Sequence, residues 1–136
     1  MTAHWASATL RDRAKWPDAG FVEEGLRLSD ELARPSSDDV LLATDLHAGN
    51  VLHAQREPWL VIDPKPFLGD AAYDATQHLM NCVQRMQAAP ETTIQRFSDL
   101  LEIDHERVRL WMFARSAAEP RDIWDDKFSA LARVLS

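Results

Sequence analysis

The sequence predicts an α+β domain, mostly helical, with about five helices around a small β-hairpin. Three observations carry this. Apolar residues recur three and four positions apart along several stretches, the signature of helices with one buried face. Two short runs, Val40 to Ala43 and Val51 to Ile62, are rich in strand formers and bounded by Asp, Asn and Pro. A length of 136 residues suits one domain with one core.

In the first helix Trp5, Ala8, Leu10 and Ala14 fall at loose helical spacing. It ends near Lys15, because Trp16 precedes Pro17 and a residue before proline avoids the helical region. Asp18 suits the cap of a second helix to about Ala33, with Phe21, Val22, Leu26, Leu28 and Leu32 mostly on one face. Arg34-Pro35 breaks it. Val40 to Ala43 reads as a short buried strand, and Val51 to Ile62 as a hairpin turning near Arg56-Glu57-Pro58. Beyond Asp70, the spacing of Tyr73, Ala75, Leu79, Cys82, Val83 and Met86 predicts one helix of about four turns. Pro90 fits the first turn of a helix to Leu101, with Ile94, Phe97, Leu100 and Leu101 as its apolar face. Asp104 caps the next, which carries Val108, Leu110, Trp111 and Met112. Pro120 follows it, and a last helix holds Ile123, Trp124, Phe128, Leu131 and Leu135.

Composition narrows the classes of function. With 46% apolar and 27% charged residues the chain reads as an ordinary soluble globular protein. A formal charge of -7 and scattered arginines argue against a nucleic-acid surface and suit a cationic small molecule better. No apolar run approaches a bilayer span, and Met1-Thr2-Ala3-His4-Trp5 lacks the basic-then-apolar order of a secretory signal. No membrane partner and a cytoplasmic location are therefore expected. The single cysteine, Cys82, has no internal disulfide partner and is expected to be a buried, inert thiol.

The chemistry concentrates between Leu41 and Tyr73. Asp45 follows an apolar run, Asn50 opens Val51-Leu52, and Asp63 closes Trp59 to Ile62, so each polar group sits where a strand meets a loop. A carboxylate that takes a hydroxyl proton, an Asn five positions on and an Asp after the next strand are the parts of a kinase catalytic loop. Asp45, Asn50 and Asp63 repeat that order and spacing, and their carboxylate and amide oxygens are of the hard kind that magnesium takes. Taken singly, each also fits a turn or strand-end cap. A zinc trio of Asp45, His47 and His53 lacks the paired Cys or helical His pair such sites use. Lys65, between two prolines, is either a phosphate contact or a solvated surface lysine, and Trp5, Trp16, Trp111 and Trp124 read as core.

Asp45-Leu46-His47-Ala48-Gly49-Asn50-Val51-Leu52, Ile62-Asp63-Pro64-Lys65-Pro66 and Gly69-Asp70-Ala71-Ala72-Tyr73-Asp74 together resemble motifs of the aminoglycoside phosphotransferases, in their streptomycin and hydroxyurea kinase branch. The resemblance covers essentially the whole chain, residues 1–136, as a single domain similar to the C-terminal lobe of a protein-kinase-like fold. It implies ATP as phosphoryl donor, Mg2+, and a hydroxyl of a small antibiotic-like molecule as acceptor. It places Asp45 at the acceptor proton, Asn50 and Asp63 on the metal, and His47 with the nucleotide-binding residues. It also implies that Asp74 braces the catalytic loop through backbone N–H groups.

Two departures stand beside the resemblance. The family usually has His-Gly where this chain has Ala43-Thr44, and glycine is the residue that turns freely there. No Gly-x-Gly pair or strand lysine of a nucleotide lobe precedes residue 40. The alternative reading is thus a non-catalytic remnant or interaction module that folds without phosphoryl transfer. A lobe without its partner exposes apolar surface, so either reading expects a homodimer or a separate N-terminal lobe.

Overall fold

The computed structural model describes residues 2–119 and 126–136. The described residues form seven α-helices and four short strands: α1 (Thr2–Arg11), α2 (Ala19–Leu32), β1 (Val40–Leu42), β2 (Val51–His53), β3 (Trp59–Val61), β4 (Phe67–Gly69), α3 (Ala71–Met80), α4 (Val83–Ala88), α5 (Pro90–Leu101), α6 (His105–Ala118) and α7 (Asp126–Leu135). Pro120, Ile123, Trp124 and the side chain of Trp5 lie outside the described residues. The α+β class, dominated by helices, is as expected. The count of about five helices is too low.

Helix starts follow the caps the sequence offers. Asp18 accepts from the Phe21 N–H, Asp70 from Ala72 and Asp104 from Arg107, each satisfying a donor that the first helical turn leaves without a partner. Pro90 stands in the first turn of α5. The long helix expected from Asp70 to Met86 is instead α3 and α4. The Asn81 side chain donates to the Gln77 carbonyl at 2.8 Å, taking the acceptor that its own N–H would use in a continuing helix. That N–H turns to the His78 carbonyl at 3.1 Å and tightens the last turn.

Helix α6 is the axis of the molecule. Every residue from Trp111 to Ala118 is buried, as expected of a helix surrounded by others. Helices α2, α3, α5 and α7 pack around it, contributing Leu28, Leu32, Leu79, Ile94, Leu131 and Leu135 to one core. The approach of α2 requires Gly25, where a Cβ would stand 2.9 Å from the Cβ atoms of Ala117 and Ala118. Trp111 is core and Trp16 half-buried, donating to the Thr9 carbonyl at 3.0 Å.

The strands form two antiparallel pairs. β2 pairs with β3 as the expected hairpin, His53 opposite Trp59. β1 pairs with β4, Leu42 opposite Phe67, a partner that no apolar run announces. Contrary to expectation β1 is not a buried strand, for Leu42 is enclosed while Val40 and Leu41 face outward. Leu100 and Leu101 are likewise exposed, since α5 buries the stripe of Ile94 and Ser98. Cys82 is half-buried rather than buried, its Sγ 3.8 Å from His78 Nε2.

Candidate functional site

The site is built on the two loops that leave the paired strands. The segment after β1 and the segment after β3 are stitched together: Lys65 N–H donates to the Ala43 carbonyl at 2.9 Å, and Ile62 N–H to the Asn50 carbonyl at 2.9 Å. These bonds bring Asp45, Asn50, Asp63 and Lys65 to one end of the strand layer.

The Asp45 loop closes on itself. His47 Nδ1 accepts the Gly49 N–H at 3.1 Å, and Asn50 Nδ2 donates to the Asp45 carbonyl at 2.9 Å. Each bond orients a side chain. An imidazole accepting at Nδ1 carries its proton at Nε2, and an amide donating from its nitrogen turns its oxygen the other way. Asn50 Oδ1 and the exposed Asp63 carboxylate are thus two hard oxygen donors on adjoining loop ends. That donor set fits magnesium, which takes one or two protein oxygens and keeps its other positions for water and phosphate. Among the described residues no group of three His, Cys, Asp or Glu is placed to hold a metal, which removes the zinc trio. His53 is instead edge-on to Trp59, ring centroids 5.7 Å apart.

Asp74, on the first turn of α3, reaches back to the loop. Its two carboxylate oxygens accept the Ala43 N–H at 2.7 Å and the Thr44 N–H at 2.8 Å. This is the brace expected from the resemblance, and it explains how Thr44 tolerates its backbone. Thr44 has φ 56, the left-handed region that a β-branched residue enters at a cost of about 1–2 kcal/mol. Its Oγ1 also donates to the Lys65 carbonyl at 2.5 Å, so three bonds hold the turn where glycine would adopt it freely. Asp63 shares the left-handed geometry, with φ 50.

The Asp45 carboxylate meets different groups at its two oxygens. Oδ2 accepts from Lys65 Nζ at 2.6 Å. Oδ1 faces Gln77 Nε2 at 3.4 Å and His47 Nε2 at 3.8 Å. The Lys65 ammonium holds the Asp45 carboxyl below the usual carboxylate range, and Asp45 in turn raises the lysine. Asp45 is thereby an anion at neutral pH, able to accept a proton. The sequence left Lys65 open between a phosphate contact and a surface residue, and its pairing with Asp45 went unforeseen. The flanking prolines were the available signal, because they point a lysine in a fixed direction.

Behind Asp45 lies a layer that sequence reasoning missed. Arg115, with 4% of its side chain exposed, donates to Gln77 Oε1 at 2.8 Å, Thr76 Oγ1 at 2.7 Å and both oxygens of Glu119. Its guanidinium lies 4.7 Å from the Tyr73 ring centroid, and burial pushes the Tyr73 hydroxyl up, keeping it neutral.

The chain matches the family described as aminoglycoside/hydroxyurea antibiotic resistance kinase over residues 2–125. It is 38% identical over 102 residues to streptomycin 6-kinase of Streptomyces griseus, covering 69% of this chain and 33% of the relative. It is 38% identical over 88 residues to hydroxyurea phosphotransferase of Kitasatospora aureofaciens, covering 65% of this chain and 25% of the relative. Streptomycin 6-kinase of Streptomyces glaucescens is 34% identical over 93 residues, 64% of this chain and 30% of the relative. The chain thus spans a third or less of the length of these relatives. No solved structure gives a significant match.

Proposed function

The chain belongs to the aminoglycoside/hydroxyurea antibiotic resistance kinase family, and from that premise we propose that it transfers the γ-phosphoryl group of Mg-ATP to a hydroxyl of a small antibiotic-like molecule. In this reading residues 1–136 are the site-bearing C-terminal lobe and work beside a nucleotide lobe. The observation that carries it is the Asp45 carboxylate, kept ionised 2.6 Å from Lys65 on a loop braced by Asp74.

Asp45 takes the proton of the acceptor hydroxyl as the acceptor oxygen bonds to the γ-phosphorus and the bond from that phosphorus to the bridging oxygen breaks, releasing ADP. Asn50 Oδ1 and Asp63 would hold magnesium, which would supply neutralisation of charge on the phosphates. His47 Nε2–H contacts the nucleotide phosphates. Lys65 sits beside the proton acceptor and, through its ammonium, meets the negative charge on the transferring group. No helix among the described residues is long and apolar enough to cross a membrane, and use of ATP suits the cytoplasm.

Calorimetric titration of the chain with Mg-ATP, repeated on Asp63→Ala, tests this reading. Saturating heat that disappears in the variant is expected. No heat from either protein would sink it for the chain alone, and ATP consumption with streptomycin or hydroxyurea would then be sought with a relative's N-terminal lobe added.

A second reading, an interaction module without phosphoryl transfer, draws on the strand layer. Leu41 is 72%, Leu68 76% and Trp59 65% exposed, more apolar surface than one small layer ordinarily leaves in water. A separate N-terminal lobe or a second copy of the chain would cover it. A chain that stays monomeric at high concentration in sedimentation would exclude the second copy.

A further inference from the structure

The layer behind Asp45 has a direction. Arginine has no acceptor, so the Gln77 oxygen must face Arg115 and the Gln77 N–H2 must face the other way, toward Asp45 Oδ1. The amide cannot flip without losing its bond to a buried cation. Arg115 is itself held by the Glu119 carboxylate and by Thr76, so the orientation traces back to the centre of α6. Its charge also reaches Asp45, lowering that carboxyl.

Helix α3 presents this amide with a second handle on the same loop. Asp74 and Gln77 are three residues apart and share a face. Asp74 grips the backbone just before Asp45, and Gln77 addresses the carboxylate. The groups facing that carboxylate therefore differ in mobility. Gln77 is wired to a buried ion pair, whereas Lys65 is 61% exposed on a flexible stem. His47, at 3.8 Å, stands too far off to hold Oδ1 by a hydrogen bond.

We propose that Gln77, oriented by Arg115, is the positioning residue of Asp45: it holds Oδ1 while Lys65 is drawn from Oδ2 by phosphate, so that Oδ2 meets the acceptor hydroxyl in a fixed direction. This rests on the phosphotransferase reading for its chemistry. Its geometry does not depend on turnover. The two oxygens are assigned different tasks, one anchored by the fold and one shared in turn by Lys65 and the acceptor proton.

The test uses Gln77→Glu in the full chain at about pH 7, with Gln77→Met beside it to remove the same N–H2 without adding charge. Gln77→Glu keeps an acceptor for Arg115 but sets a second carboxylate oxygen against Asp45 Oδ1, so a change at Asp45 supports the inference only where Gln77→Met shows it too. The χ1 of Asp45 is read by NMR from its three-bond couplings. A single rotamer in the native chain that becomes averaged or shifted in both variants is the expected result. With streptomycin or hydroxyurea as acceptor, kcat should fall about tenfold or more while KM is unchanged. Native Asp45 couplings in either variant would overturn the inference. If the couplings change in both while none of the proteins binds Mg-ATP, the positioning role stands and the phosphotransferase reading fails for this chain alone.

Discussion

The helical body and the strand layer solve opposite problems. Around α6, burial is nearly complete, down to an arginine that faces three polar side chains. Across the strands, side chains of the same apolar kind face water, and two of the three non-glycine residues with positive φ among the described residues, Thr44 and Asp63, sit on the loops the strands support. The body spends its contacts on being packed. The layer is stitched by main-chain bonds and by Asp74, which leaves Asp63 and Lys65 exposed and Asp45 and Asn50 half-buried at the loop ends. The candidate site falls where packing stops, on a loop that Asp74 and Gln77 of α3 contact.

Gly25→Ala probes the body and carries the largest expected loss of stability. A helical Gly-to-Ala change ordinarily gains about 1 kcal/mol, but a Cβ 2.9 Å from two others must push α2 off α6, at about 1–3 kcal/mol. A thermal melt should show a net loss. A gain would mean that the interface is looser than its geometry.

Thr44 probes the layer with a smaller effect. Thr44→Ala loses the bond to the Lys65 carbonyl and keeps the left-handed backbone, and is expected to cost about 1 kcal/mol. Thr44→Gly loses the same bond but relieves the backbone, and should lie near the native chain. Denaturation curves that place the two variants together would remove the argument for strain at this turn.

The smallest effect belongs to the Asp45–Lys65 pair. Asp45 is depressed, so its contribution to stability is present above the ordinary carboxylate range and lost as pH falls through its folded value. Lys65 is raised, so its contribution is present below the ordinary lysine range and lost as pH rises through its folded value. The pair thus stabilises the fold between these limits, weakly because Lys65 is exposed, and less at about 1 M salt. The stability difference between the native chain and Lys65→Met should be greatest near pH 7 and shrink at both extremes. A difference that does not change with pH would show that the lysine acts through packing alone.

The features legible in the sequence are those made by neighbours in it. Caps at Asp18, Asp70 and Asp104 need partners two or three residues away, so the residue types suffice to place the helix starts. The β2–β3 hairpin is legible for the same reason. Asp45, Asn50 and Asp63 are legible as a candidate set from their types and spacing, whereas the bonds that stitch together the loops carrying them are seen only in the structure. The break at Asn81 was hidden because its cause is a side chain outcompeting its own backbone, a choice that apolar spacing does not record.

By itself the sequence determined the helical majority, the family and the residue types of the site, since these depend on periodicity, local hydrogen bonds and short motifs. Only the tertiary structure decided that Phe67 to Gly69 is a strand, that Leu41 and Leu68 face outward, that Lys65 meets Asp45 and that Arg115 is buried behind Gln77. Each of these joins residues at least 20 positions apart or sets which face of an element meets another. A charged side chain is read from sequence as a surface group, because burying it alone costs several kcal/mol. It becomes an interior one only when folding brings Thr76 and Gln77 around it beside Glu119, four residues on, and that distant company exists only in three dimensions.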